Sequence, residues 1–329
     1  MIRSMIAFTS LMVLGLVMIW GGMHYHLLQK KALVSQQSTL EVKKGDTLDT
    51  VIKQLSAKGI SVDKFWFKLY AHRTQLDRML KVGEYVLKKG STAVDILMTL
   101  KEGKTRRYAI TFPEGWSFKT MLSAIRKNPN LQHTLTDDQL ASIMKKIGSD
   151  ETHPEGQFFP DTYYFEKNSS DLELLKRAHK KMKQVLAAEW EKRDKDIPLE
   201  SPYDALILAS IIEKETAAAE ERKKIAGVFS RRLKKDMLLQ TDPTVIYGMG
   251  DEYRGNIRRK DLREPTPYNT YVNKGLPPTP ISMPGKAAIA AALHPADGNE
   301  LFFVARGNGR HAFSATYAMH EKYVQTYQR

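Results

Sequence analysis

The chain has 329 residues, with 51 Lys and Arg against 37 Asp and Glu, so its formal net charge is +14. At 42% apolar and 27% charged residues it has the composition of a globular protein with a sizeable core, not of a disordered chain. Cysteine is absent, which excludes disulfide scaffolds, thiol nucleophiles, zinc ribbons, iron–sulfur ligation and a Cys-linked lipid anchor. The basic pairs Lys43-Lys44, Lys88-Lys89 and the run Arg258-Arg259-Lys260 are scattered among acids. No segment shows a nucleic-acid-binding pattern, so nucleic acid is not expected as a partner, and an anionic membrane or an acidic polymer is the better match.

The first element is Met5 to Met23, 19 residues without a charge. As a helix it spans about 28 Å, close to one bilayer core, so a single transmembrane anchor is expected. A signal peptide would need a small-x-small cleavage site, which the following GGMHYHLLQKK lacks. The positive-inside count is nearly balanced and says little about orientation. No second run of this length occurs, so everything after it is expected on one side, beginning with a polar stem over residues 24–38.

A unit then recurs three times, in LEVKKGDTLDTVI, EYVLKKGSTAVDIL and YAITFPEGWSFKTML. Each is a β-prone run, a glycine (Gly45, Gly90, Gly115), a hydroxyl residue two positions on (Thr47, Thr92, Ser117), and an apolar pair (Val51-Ile52, Ile96-Leu97, Met121-Leu122). Glycine permits the turn, the hydroxyl caps the helix that follows, and the apolar pair opens its buried stripe. VKKGDTLDTVIKQL resembles a LysM module, the βααβ unit that binds the N-acetylglucosamine backbone of peptidoglycan or chitin. A LysM-like α+β domain is accordingly expected over 39–105, with a polar connection and candidate hinge at 103–107.

From Asp171 the pattern is helical, with Leu172, Leu175, Ala178, Met182, Val185, Leu186 and Trp190 on one stripe above a Lys-rich solvated face. Pro202 to Glu215, PYDALILASIIEKE, reads as a buried helix whose small residues Ala205, Ala209 and Ser210 allow close neighbours. Two carboxylates end it. Glu213 shares a face with Leu206, Ala209 and Ser210, and Glu215 with Leu208, Ile211 and Ile212, so spacing does not choose between them. A carboxyl at the rim of an apolar wall suits a general acid, because desolvation disfavours the anion.

Three further clusters carry chemistry-bearing side chains. EGQFFPDTYYF contributes Glu155 and Tyr163, LQTDPTVIYG a Pro-started turn with Gln240, Thr241 and Asp242, and TPYNTYVNKGLPPTPISMPG a non-helical stretch with Asn269 and Tyr271. LFFVARGNGRHAFS reads as a hairpin around an Asn-Gly turn. No HExxH, GxSxG or Walker pattern occurs, the histidines stand apart, and His294 and His311 read as hydrogen-bonded structural residues; neither metal nor cofactor is expected.

Taken together, EGQFFPDTYYF, LASIIEKET, LQTDPTVIYG, YNTY and LPPTPISMPG resemble the MltG (YceG-like) family of endolytic murein transglycosylases. The resemblance implies an α+β chain with one transmembrane helix, the LysM-like domain and a larger mixed α/β catalytic domain with a helical core over 106–329. It implies cleavage of MurNAc-β-1,4-GlcNAc bonds in nascent glycan strands, leaving 1,6-anhydro-MurNAc ends without consuming water, with no cofactor. It implies residues 1–4 in the cytoplasm, an anchor in the cell inner membrane, the catalytic domain in the periplasm, and cell-wall synthases as partners. The family's essential glutamate falls on Glu213, with Gln240, Thr241, Asp242, Asn269, Tyr271, Glu155 and Tyr163 as groove residues. The chain departs from the family's LPPGPI at Thr279, which touches only the local turn. A non-catalytic wall-binding scaffold and a hydrolytic muramidase are the competing readings.

Overall fold

The structure is a computed structural model that describes residues 2–23, 25, 32–76, 80–135 and 140–328. The described part is mixed α/β, with twelve α-helices and four two-stranded sheets. It divides into two compact units: residues 1–108 with 164–168, and residues 109–163 with 169–329.

In the first unit, α1 spans Ile2–Met23. Its apolar side chains are bare, Phe8, Leu11, Leu14, Val17 and Trp20 all being at least 60% exposed. Among the described residues no helix is long and apolar enough to cross a membrane. The expected anchor starts among side chains that precede the described ones, and Met1, His24 and residues 26–31 of its flanks lie outside the described residues.

The rest of this unit is built on β1 (Ser38–Val42) and β2 (Gly83–Leu87), antiparallel neighbours with Ser38 opposite Leu87 and Val42 opposite Gly83. Between them come α2 (Leu48–Ala57) and α3 (Lys64–Arg73), and after them α4 (Ala93–Glu102). Thr47 and Thr92 occupy the N-cap positions of α2 and α4. Thr92 Oγ1 accepts from the Asp95 amide at 3.2 Å, and Asp95 returns a bond to the Thr92 amide at 2.8 Å. The glycine before each cap is left-handed, at φ +90° for Gly45 and +86° for Gly90, a conformation that a β-carbon penalises. Val51, Ile52, Ile96 and Leu97 then meet Leu40, Phe67, Tyr85 and Leu87 in one core.

In the second unit the third copy of the repeat holds: Gly115 has φ +76°, and Ser117 Oγ accepts from the Thr120 amide to cap α5 (Phe118–Arg126). Strand β3 (Arg107–Thr111) precedes it and pairs with β5 (Thr162–Glu166), both strands giving residues to each unit. β4 (Leu131–Gln132) pairs in parallel with β6 (Ser169–Ser170), and α6 (Leu140–Ile147) lies between them in sequence.

The helical core follows: α7 (Asp171–Trp190), α8 (Pro202–Glu215), α9 (Arg222–Lys234), α10 (Asp242–Met249) and α11 (Lys286–Leu293). The LQTDPT segment, expected to be a turn, is therefore helical from Asp242, because Pro243 in the first turn has no amide to lose and presets φ. The hairpin of β7 (Phe302–Ala305) and β8 (His311–Ser314) and helix α12 (Tyr317–Tyr327) end the chain.

Helix α8 sits at the centre. Ser201 and Asp204 form its capping box, and every residue from Ala205 to Ile212 is buried, so α8 is covered on all faces, with α7, α9, α10 and α11 among its neighbours. Ala209 and Ser210 let the chain approach closely: Ser210 Oγ accepts from the Ile281 amide at 2.9 Å, and the Ser210 carbonyl accepts from Ser282 Oγ at 3.1 Å. The loop before α11 is thereby tied to the core. Ser210→Ala leaves the Ile281 amide buried and unpaired, a cost of about 1–3 kcal/mol. The expected outcome is a thermal midpoint several degrees lower by circular dichroism; an unchanged midpoint would show that the loop does not depend on this tie.

Candidate active site

The two carboxylates that end α8 stand two residues apart, about 200° around the helix, so they address different surroundings. Glu213 Oε2 accepts from the Gly285 amide at 2.9 Å, and Oε1 faces the Arg222 guanidinium at 3.4 Å, with 6% of the side chain exposed. Burial pushes its carboxyl above the usual range, the Gly285 amide opposes this, the Glu114 charge adds to it, and Arg222 opposes again. Gly285 has a steric reason to be glycine, since a β-carbon there would collide with the Glu114 carboxylate.

Glu215 meets a different set. Thr241 Oγ1 donates to its Oε2 at 2.7 Å. Burial pushes its carboxyl up to about 6, against the Thr241 bond and the nearby His311, with Asp242 adding to the rise. The carboxyl lines a cavity of about 450 Å³ together with Gln240, Asp242, Tyr271, Arg232, Phe302 and His311. In that cavity the Tyr271 hydroxyl donates to Asp242 Oδ1 at 2.6 Å. Gln240 is left-handed at φ +51°, a strained state for a side-chain-bearing residue. It is held there by its amide bond to the Thr270 carbonyl at 3.0 Å and by Arg232, which donates to Gln240 Oε1 at 3.2 Å and to the Leu238 and Leu239 carbonyls at 3.0 Å.

The structure thus gathers Gln240, Thr241, Asp242 and Tyr271 around Glu215 and not around Glu213, because helix geometry turns the two carboxylates apart. The other expected groove residues lie elsewhere. Asn269 is fully buried and ties its loop, donating to the Asp261, Leu262 and Glu264 carbonyls and accepting from the Tyr271 amide at 2.9 Å. Tyr163 packs on Phe112 and donates to the Phe159 carbonyl at 2.7 Å. Glu155 is buried, accepts from the Phe118 amide at 2.9 Å and the Tyr247 hydroxyl at 3.2 Å, and is pushed by burial to about 7. Among the described residues no cluster of His, Asp and Glu could hold a metal ion.

The profile of the YceG-like family matches residues 40–326. The chain belongs to the YceG-like family. It is 34% identical over 264 residues to a Bacillus subtilis protein named endolytic murein transglycosylase, covering 75% of this chain and 73% of that one. A protein of the same name from Streptococcus pneumoniae serotype 2 is 29% identical over 312 residues, 81% of this chain and 54% of that relative, so the chain spans about half the pneumococcal protein's length. The crystal structure of a yceG-like protein from Listeria monocytogenes superimposes with a TM-score of 0.55 at 30% identity, over 87% of this chain and 98% of that one.

At Thr279, where the resemblance expects glycine, the hydroxyl bonds with the Tyr268 hydroxyl at 2.9 Å and donates to the Pro280 carbonyl. Arg232 and Phe302, which line the cavity, and Glu221, which holds His311, were not marked as site residues by any sequence pattern, because only the packing of separate elements brings them there. His311 does have a hydrogen-bonding partner, as expected, but it also faces the cavity.

A carboxyl raised from 4.5 to about 6 binds its proton more tightly in the folded than in the unfolded state. Its burial is therefore least costly below pH 4.5, and folding loses up to about 2 kcal/mol as the pH rises through 6. Glu215→Gln removes that penalty while keeping an acceptor for Thr241. Urea denaturation should find the variant more stable than the parent at pH 8 and no more stable at pH 4.

Proposed function

We propose that this protein is an endolytic murein transglycosylase that cleaves MurNAc-β-1,4-GlcNAc bonds within nascent glycan strands and leaves 1,6-anhydro-MurNAc ends, terminating strand elongation. The observation that carries the reading is the placement of a raised carboxyl, Glu215, in the wall of a polar and aromatic cavity, in a YceG-like chain whose curated relatives bear that name. Glu215 takes the part of the acid, and Glu213, paired with Arg222, holds the loop at Gly285 beside it.

The chemistry suits one acid. A carboxyl titrating near 6 is about a tenth protonated at pH 7, some thirty times more than one at 4.5. Glu215 protonates the leaving glycosidic oxygen as the C1–O4 bond breaks. The MurNAc 2-acetamido oxygen or an oxocarbenium-like state carries the positive charge, as in substrate-assisted glycosidases. Attack of the C6 hydroxyl on C1 closes the anhydro ring, and water takes no part. Asp242 and Tyr271, bonded to each other, and Gln240 present donors and acceptors to the sugar hydroxyl and N-acetyl groups.

The same reading extends to location. Met5 to Met23 is a single-pass anchor in the cell inner membrane, a role supported by the bare apolar side chains of α1, which water would not tolerate over such a length. The remainder lies in the periplasm, with a LysM-like domain over 39–105 and the catalytic domain over 106–329. The β1–α2–α3–β2 order supports the LysM-like reading, and cell-wall synthases are the partner class.

Purified uncross-linked glycan strands incubated with Glu215→Gln and Glu213→Gln proteins, followed by mass analysis, test the assignment. Glu215→Gln is expected to lose anhydro ends by about 10³-fold or more, and Glu213→Gln to stay within about tenfold of the parent. The reverse order would return the acid to Glu213, and parent products heavier by one water would mean a muramidase. Parent activity should fall as the pH rises above 6, because the acid must carry its proton. A carboxyl-terminal reporter active only in the cytoplasm would overturn the location.

A further inference from the structure

A histidine in the wall of the same cavity, paired with a carboxylate behind it, has no part in the scheme above. His311, the first residue of β8, lines the cavity with Glu215. Its Nδ1 lies 2.8 Å from Glu221 Oε2, and its main-chain amide donates to Glu221 Oε1 at 3.1 Å. One carboxylate therefore grips the residue by ring and backbone. Among the described residues Glu221 forms no ion pair with Lys or Arg, so His311 is the partner of this buried acid.

That partnership sets the tautomer. An ionised carboxylate only accepts hydrogen bonds, so Nδ1 carries the hydrogen and Nε2 is left with its lone pair, the arrangement by which a carboxylate prepares a histidine base. Phe303 at 5.3 Å and 86° and Phe313 at 6.4 Å and 61° wedge the ring edge-on. Nε2 makes no hydrogen bond to the described protein, yet it is not among the buried polar atoms left without a partner, so it is open to the cavity. The charged and titratable groups facing this region are Glu215 from α8, Glu221 before α9, Lys224 and Arg232 from α9, Asp242 and Tyr271 in the cavity wall, and Tyr317 and His320 from α12.

We propose that His311, oriented by Glu221, is the base that removes the C6 hydroxyl proton of MurNAc. This rests on Glu215 as the acid. As the C1–O4 bond breaks, its electron pair goes to O4, which takes the Glu215 proton. O6 forms the new bond to C1 while its proton passes to His311 Nε2. The imidazolium proton then returns to the Glu215 carboxylate, so both groups are reset and neither water nor any redox partner is consumed. The reaction moves protons at two different oxygens of one saccharide, and the end of α8 and the start of β8 present an acid and a base to one cavity. A lone carboxylate would have to serve both oxygens in turn.

The test uses the full chain on uncross-linked glycan strands across pH 4.5 to 8.5. His311→Ala is expected to lower kcat by about 10²–10³-fold with little change in KM. It should keep the basic limb of the rate profile set by Glu215. Added imidazole should restore anhydro ends. Glu221→Gln, whose amide can donate to Nδ1 and so favour the wrong tautomer, should lose kcat at least tenfold at an unchanged thermal midpoint. It serves as the second variant should His311→Ala fail to fold. A His311→Ala protein with parental kcat, or a kcat loss with no imidazole rescue and an unaffected Glu221→Gln protein, would overturn the proposal. Failure of the underlying reading is separate, since there the parent itself forms no anhydro ends or Glu215→Gln remains active.

Discussion

The burial of α8 on every face is the constraint from which the second unit follows. Eight consecutive residues, Ala205 to Ile212, leave the helix no solvated side, so other helices must surround it and small residues must admit the closest of them. The helix meets polar surroundings only where its apolar run stops. Its two terminal carboxylates are thus held by a rigid, buried rod, and the turn between them sends one toward Arg222 and Gly285 and the other toward Thr241 and the cavity.

Each carboxylate is costly to bury, and the structure treats the two costs differently. Glu213 receives a main-chain amide and a guanidinium, which oppose the rise that burial and the Glu114 charge cause. Glu215 has a neutral hydroxyl and the nearby His311 set against its burial, with the Asp242 charge adding to the rise, and its proton is held at a pH where it can be given away. Strain gathers on the same side. The left-handed Gln240 persists because Arg232 and Thr270 over-determine it, as expected where a loop must present a side chain to a ligand and not merely connect two helices.

Much of the local structure was legible in the sequence. The glycine, hydroxyl and apolar-pair spacing located three helix starts at Thr47, Thr92 and Ser117, since left-handed turns and caps are set by the few residues involved. The α7 stripe and the Asn-Gly hairpin were readable for the same reason, although Leu174 and not Leu172 is the fully buried residue at the start of α7. The helix at Asp242 was not, because a short segment with a proline near its start is compatible with both a turn and a helix N-terminus.

The site was legible as a set of motifs and not as an arrangement. By itself the sequence determined the family, the buried helix, its terminal acids and the segments rich in hydroxyls, amides and aromatics, because composition, periodicity and capping are local properties of the chain. Only tertiary structure decided that Thr241, Asp242 and Tyr271 meet Glu215, that Asn269 and Tyr163 serve their own loops, and that His311, held by Glu221, reaches the same cavity. Which side chains converge depends on how four helices and a hairpin pack around α8. That packing is a property of the assembled core, which no stretch of neighbouring residues encodes alone.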